Sequence, residues 1–197
     1  MISINDDFID KNTCDLLKNY AEDLTKTARW DRSDPGSGWN DRYVHAGDLV
    51  RPDRGFAGTK DIEAYNILLD VREKVKQHII KIRNLQIPLY SDMLQLVRWV
   101  PGNQQHPHAD SQNEDGSTHP YYWREYASIL YLNSDYTGGS IYFPQHDIAL
   151  TPSPGTMVTF PGTVEYMHGV RTVTSGERYT VASFWTTDIL KADHLSV

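Results

Sequence analysis

The hydrophobic period of this chain changes once, near residue 90, and that change limits the folds open to it. Before it, Cys14, Leu17, Tyr20, Ala21 and Leu24 recur at helical spacing, and so do Ile62, Tyr65, Leu69, Val75, Ile79 and Ile82. From Asp92 onward the period is two. Met93–Val100, Tyr126–Asn133, Ser140–Phe143, Thr156–Phe160, Val170–Val173 and Arg178–Trp185 read as strands. Pro101-Gly102, Gly138-Gly139, Pro152–Gly155, Pro161-Gly162 and Gly176 separate them. Short strands that each bury one face must pair into a sandwich or barrel. The expected fold is mainly β with N-terminal α-helices: a distorted double-stranded β-helix (jelly roll) supported by two helices. Residues 1–197 are expected to form one domain, with helical support and loops over 1–90 and the jelly-roll core over 91–188.

The first helix is expected to begin near Asn12, with Asp15 completing a pattern like a capping box. The second is expected over Thr59 to Arg83. Between them, residues 29–58 are polar, carry the turn signal Asp34-Pro35-Gly36-Ser37-Gly38, and hold Trp30, Trp39, Tyr43 and Phe56. Two readings stay open: a lid or substrate wall, or a surface loop whose rings pack back on the body. Cys14 is the only cysteine, so an intrachain disulfide is excluded, and its place in the helical pattern makes it a core residue. A single cysteine also suits a reducing compartment. Met1–Asp10 does not read as a secretory signal, and no apolar run approaches the ~20 residues of a membrane helix. An intracellular, soluble, cytoplasmic protein is expected, with no membrane partner. The net charge of -7 argues against a general nucleic-acid binder.

Chemistry concentrates in His106-Pro107-His108-Ala109-Asp110. In an extended segment alternate side chains share a face, so His108 and Asp110 can offer an imidazole and a carboxylate to one metal ion. A third ligand must come from another strand, and His168 is the leading candidate. Two His and one carboxylate suit a non-haem iron(II) site with open positions. Arg178 follows across the turn Thr174-Ser175-Gly176-Glu177. Its guanidinium can grip a carboxylate with two charge-assisted hydrogen bonds, and Thr180 shares its face.

In order, Leu94–Trp99 with Pro101-Gly102, then Ser128–Asn133, Gly138–Pro144, Pro154–Thr156 and His168–Tyr179 resemble the 2-oxoglutarate/Fe(II) oxygenases of the prolyl 4-hydroxylase-like branch. The resemblance implies that His108, Asp110 and His168 hold iron(II) and that Arg178 binds the distal carboxylate of 2-oxoglutarate. Tyr131 is a further 2-oxoglutarate contact or a plain core aromatic. Dioxygen is the oxidant, ascorbate an accessory, and succinate and CO2 the co-products. Trp99 stands where related enzymes place a Tyr, so its contact with the co-substrate departs from the family's, an indole being unable to accept a hydrogen bond. Arg178 stands where collagen-type enzymes carry Lys.

His106 is assigned beside the metal ligands or to the substrate wall, because an H-x-H site of the cupin kind would also need a Glu and other glycine spacing. Ser111–Glu125 carries Tyr121, Tyr122 and Trp123 and is either a substrate-facing loop or a plain insertion. With Trp39, the residues His106, Tyr122 and Trp123 are the expected substrate contacts. His45, His78, His119, His146 and His194 have no motif context. The leading function is hydroxylation of a peptidyl residue such as proline. The alternatives are a hydroxylase of a free amino acid or other small metabolite, and a non-catalytic jelly-roll binding module. A nucleic-acid demethylase is disfavoured by charge. The oligomeric state is not legible.

Overall fold

The computed structural model describes residues 1–33 and 35–195; Asp34, part of the expected turn, lies outside them. In chain order the elements are β1 (Ser3–Asn5), α1 (Lys11–Lys26), β2 (Tyr43–His45), α2 (Thr59–Arg83), β3 (Tyr90–Trp99), β4 (Gln105–His108) and β5 (Tyr126–Tyr131). Then follow β6 (Thr137–Gly138), β7 (Ile141–Phe143), β8 (Ile148–Leu150), β9 (Met157–Pro161), β10 (His168–Val170), β11 (Val173–Ser175) and β12 (Arg178–Thr186). A six-stranded antiparallel sheet runs β1-β9-β5-β12-β3-β2, and a four-stranded one runs β4-β10-β7-β8. β6 and β11 form a separate short pair.

Alternation along the large sheet explains the layering. Leu94, Leu96, Leu130, Leu132, Met157, Tyr179, Val181 and Trp185 share one apolar cluster with residues of α1 and α2. The alternate residues point the other way. Ala127, Tyr131, Val158 and Phe160 pack with Ile141 and Phe143 of the small sheet. Val97 and Trp99 pack with Val170 and Val173. The helices thus back the large sheet, and the two sheets face one another in the expected jelly roll.

α1 buries Cys14, Leu17, Tyr20, Ala21 and Leu24, the stripe read from the sequence. Its start differs from expectation. Asp10 is the cap, its carboxylate accepting from the Thr13 backbone N–H at 2.8 Å, so the helix begins ahead of Asn12. α2 has the expected bounds, but its buried stripe is Asp61, Ala64, Leu68, Val71, Val75 and Ile79. Of the expected set only Val75 and Ile79 are fully buried, and Ile62 is exposed. Apolar residues cover a wide arc of α2, and its centre falls on small Ala64 and on Asp61, which a search for large apolar residues passes over. Buried Asp61 accepts from the Tyr20 hydroxyl at 2.8 Å, the Arg29 guanidinium at 2.9 Å and the Gly58 N–H at 3.0 Å. Desolvation, and the Asp61 carboxylate beside it, push the Tyr20 hydroxyl well above the usual tyrosine range.

Two strand readings also change. Val170–Val173 is not one strand: β10 ends at Val170, and Val173 opens β11 against β6. β2 emerges from the 29–58 loop as an edge strand on β3, with Tyr43 opposite Val97. Trp30 of that loop packs back on the body, stacking on Tyr179 at 6.4 Å, while Trp39 contacts Trp99.

Asp61→Ala leaves the Tyr20 hydroxyl and the Gly58 N–H without their acceptor and removes the Arg29 partner. We expect a loss of about 3 kcal/mol of stability, read as a lower urea midpoint at unchanged slope. A loss below about 0.5 kcal/mol would show that this network does not join the helices.

Candidate active site

The facing sheets leave a cavity of about 450 Å³, within the range of small-molecule sites. Its floor is the inner face of β3 and β12, with Gln95, Val97, Trp99, Arg178, Thr180 and Ala182. The opposite wall carries Gln105, His108, Asp110, His168 and Val170.

β4 and β10 are antiparallel neighbours with His108 directly opposite His168, and the ring centroids are 4.5 Å apart. One ligand atom each from His108, Asp110 and His168 lie within 4.8 Å of one another, and His108 Nε2 is 3.7 Å from Asp110 Oδ1. Both rings are oriented from behind. His108 Nδ1–H donates to the His106 carbonyl at 3.1 Å, and His168 Nδ1–H donates to the Tyr166 carbonyl at 3.3 Å. A carbonyl only accepts, so each Nδ1 carries the proton and each Nε2 keeps its lone pair. Phe160 and Phe143 pack against the His168 ring at 4.3 and 5.9 Å. Burial, with His108 alongside, brings the His168 imidazole down to about 3, and burial also lowers that of His108. Both imidazoles are neutral at physiological pH. Burial pushes the Asp110 carboxyl up to about 7, against a lowering by the Arg124 charge. Its Oδ2 is buried without a hydrogen-bond partner. Two neutral imidazoles and an uncompensated carboxylate oxygen fit a divalent first-row metal, whose charge offsets the burial of Asp110.

Asp110 is held by a close backbone approach. The Gly162 carbonyl accepts from the Asp110 and Ser111 N–H groups, each at 2.9 Å, and from Ser111 Oγ at 2.9 Å. A Cβ on Gly162 would stand 2.1 Å from the Arg124 carbonyl oxygen and 3.3 Å from Asp110 Cβ.

Arg178 lies across the cavity, opposite Trp99 in the β12–β3 register, and is 1% exposed. Its Nη2 donates to the Tyr131 hydroxyl at 3.1 Å, and its Cζ is 4.9 Å from the Tyr131 ring and 5.1 Å from the Trp99 ring. Among the described residues no acidic side chain pairs with it. A buried cation without a counter-ion costs several kcal/mol, by roughly the measure of broken buried pairs, unless a ligand supplies the anion. Thr180, buried and on the same face, lines the cavity beside it.

The remaining expected contacts divide. Trp39 and Trp99 line the cavity, with the buried Arg42 guanidinium 4.3 and 4.1 Å from their ring centroids. Burial, then the Arg178 charge, bring Arg42 down to about 10. His106 is exposed and does not line the cavity. The reason is a bulge: His168 pairs with His108 but Val170 pairs with Gln105, so β4 has one residue more than β10. Alternation fails there, and Gln105 takes the place that sequence spacing gave to His106. Tyr122 (58% exposed) and Trp123 also stand outside the cavity, and His119, Tyr121 and Arg124 of the same loop line it instead. Arg124 is wedged between the Tyr121 and Phe184 rings, each at 4.0 Å, and donates to Asp92 at 2.5 Å. Tyr43 of β2 is a further lining residue. No spacing rule marked Gln105, Arg42 or Arg124; only the fold brings them in.

Gly162→Ala should move the segment that carries Asp110. Overpacking of this kind costs about 1–3 kcal/mol, and we expect the loss to appear as at least a tenfold (~1.4 kcal/mol) weaker affinity for a divalent metal. A metal titration equal to that of the unaltered protein would show that Gly162 does not set the Asp110 position.

Comparison with known proteins agrees with this geometry. Residues 94–186 match the 2OG-Fe(II) oxygenase superfamily. Prolyl 3-hydroxylase 2 of Gallus gallus is 31% identical over 172 residues, covering 77% of this chain and 25% of that protein. Prolyl 3-hydroxylase 2 of Homo sapiens is 30% identical, covering 77% and 24%. The chain therefore spans about a quarter of the length of these relatives. The structure of the viral collagen prolyl hydroxylase from Paramecium Bursaria Chlorella virus-1 superposes with a TM-score of 0.66 at 17% identity, covering 94% of each chain. A Pseudomonas putida prolyl-4-hydroxylase gives 0.63 at 16%, covering 94% and 91%. At those identities the structural likeness speaks for the fold, the double-stranded β-helix. The superfamily match spans β3 to β12 with the His-Asp-His cluster inside it, and this core of the chain belongs to the 2OG-Fe(II) oxygenase superfamily.

Proposed function

We propose that this chain is an iron(II)- and 2-oxoglutarate-dependent dioxygenase that hydroxylates peptidyl proline. The observation that carries this reading is the pairing, in one cavity, of a His-Asp-His cluster with a buried guanidinium that has no acidic partner among the described residues. His108, Asp110 and His168 would hold iron(II). Arg178, braced by Tyr131 and flanked by Thr180, would hold the distal carboxylate of 2-oxoglutarate by charge-assisted hydrogen bonds. Once bound, these groups supply the activation of dioxygen that oxidises an unactivated C–H, with succinate and CO2 as co-products and ascorbate as an accessory reductant.

The chain's own residues orient and protect. The bonds to the His106 and Tyr166 carbonyls fix each imidazole with Nε2 toward the cavity. Phe143 and Phe160, packed against the His168 ring, would exclude water from the metal side. Trp39, Tyr43 and Tyr121 line the cavity and would face the substrate. A peptide or protein substrate is supported by the relatives, which are prolyl 3-hydroxylases in sequence and prolyl 4-hydroxylase-like in fold. Residues 1–197 are taken as a single oxygenase domain, with 1–90 the support and 91–188 the catalytic core.

Two measurements test this. Anaerobic addition of 2-oxoglutarate to the iron(II)-loaded protein should give a broad visible charge-transfer band. His168→Ala should abolish it, and Arg178→Ala should raise the 2-oxoglutarate needed for half-saturation by roughly 30-fold, the loss of a charged pair worth about 2 kcal/mol. Proline-containing peptides should then gain one oxygen, and amino-acid analysis will separate 3- from 4-hydroxyproline. If free proline or another metabolite is oxidised and no peptide is, the chain is a small-molecule hydroxylase. If no band forms in folded protein, the binding-module reading takes its place.

A further inference from the structure

The bulge between β4 and β10 places a side chain that has no part in the roles above against the metal-facing nitrogen of His108. Gln105 lines the cavity, and its Nε2 is 3.2 Å from His108 Nε2. Because His108 Nδ1 donates to the His106 carbonyl, His108 Nε2 is the acceptor here and the Gln105 amide is the donor. That lone pair is the one a metal ion takes. A metal on His108 would take that lone pair, so the Gln105 amide, next to the metal position, would have to turn from it to another acceptor.

Where Gln105 stands decides which acceptor that is. It pairs with Val170 across the β4–β10 ladder. Val170 packs with Val97 and Trp99, and Val97 and Trp99 are the β3 partners of Thr180 and Arg178. Through Val170 and Trp99, Gln105 and Arg178 are thus linked across one stretch of the cavity that both line. His119, Tyr121 and Arg124 belong to the other loop and to its wall.

We propose that Gln105 is a positioning residue for the co-substrate, its amide donating to the 2-oxo acid end of 2-oxoglutarate while Arg178 holds the distal end. This rests on the oxygenase reading above. Two donors, one at each end, fix the length and direction of the molecule in the cavity.

The test uses iron(II)-loaded Gln105→Leu and Gln105→Glu proteins under anaerobic conditions. Metal affinity is measured with the metal alone by competition against a chromophoric chelator, and 2-oxoglutarate affinity from the charge-transfer band. For Gln105→Leu we expect metal affinity within about twofold of the unaltered protein, a shifted band, and roughly tenfold weaker 2-oxoglutarate binding, the order of one hydrogen bond to a charged group. Gln105→Glu is nearly isosteric and stays informative if the Leu variant disturbs the strand. Its carboxylate, within reach of the metal, should tighten metal binding and repel the 2-oxo acid. An unchanged band and half-saturation in either variant would overturn the proposal. So would a Gln105→Leu protein that loses metal affinity alone, which would make Gln105 a prop for His108 only. Absence of the band in the unaltered protein would instead sink the oxygenase reading, and this inference with it.

Discussion

β12 is the strand on which the molecule is built. It pairs with β3 over Arg178–Thr186 and with β5 over Thr180–Trp185, so it is covered on both edges. Its side chains alternate strictly enough to serve two layers. Tyr179, Val181 and Trp185 enter the core against the helices, while Arg178, Thr180, Ala182 and Phe184 enter the cavity. A one-residue slip would exchange the two sets, moving the guanidinium into the helical core and Trp185 into the site. Trp185 resists this slip. It is fully buried, and its indole N–H donates to Ser128 Oγ at 2.9 Å on the neighbouring strand. The packing that stabilises the fold also fixes the register that places Arg178.

The site itself works against stability. It gathers a buried carboxylate, a neutral imidazole far from its ordinary value, and two buried guanidiniums, Arg178 and Arg42. Each of these groups would be easier to bury if paired, yet the pairs found elsewhere in the chain are withheld here. Asp61 has three donors and Arg98 has Glu177, whereas among the described residues no acidic side chain pairs with Arg178, which has Tyr131 and Trp99 beside it. The contrast separates charges paired within the chain from those that the proposed function leaves for a ligand. The helices and the rest of the large sheet carry the compensating stability, by burying apolar side chains well away from the cavity.

Much of this was legible in the chain because it rests on short-range rules. The period-two segments gave most of the large sheet, and the helical stripe of α1 was correct residue by residue. That His108, Asp110, His168 and Arg178 line one cavity was legible because two of them share one short segment and the other two flank a turn. What escaped notice depended on contacts between distant segments. α2 hid its core face because Asp61 looks like a surface residue until Tyr20 and Arg29 are placed beside it. β2 escaped because three residues in a polar loop become a strand only when β3 offers its edge. Tyr122 and Trp123 drew the eye as large aromatics, whereas the less conspicuous His119 and Arg124 turn inward.

The bulge in β4 shows most clearly where reading by alternation stops. Alternation places His106 and His108 on one face, and that would hold if β4 and β10 were paired residue for residue. The extra residue breaks the rule within a single step, turning His106 to solvent while its backbone carbonyl orients His108. The same irregularity admits Gln105. One inserted residue thus leaves the His-Asp-His cluster in place and changes the identity of the group beside it. A fold common to a superfamily can in this way keep its chemistry while varying what surrounds it: the ligands are fixed by the ladder, and their neighbours by a local departure from it.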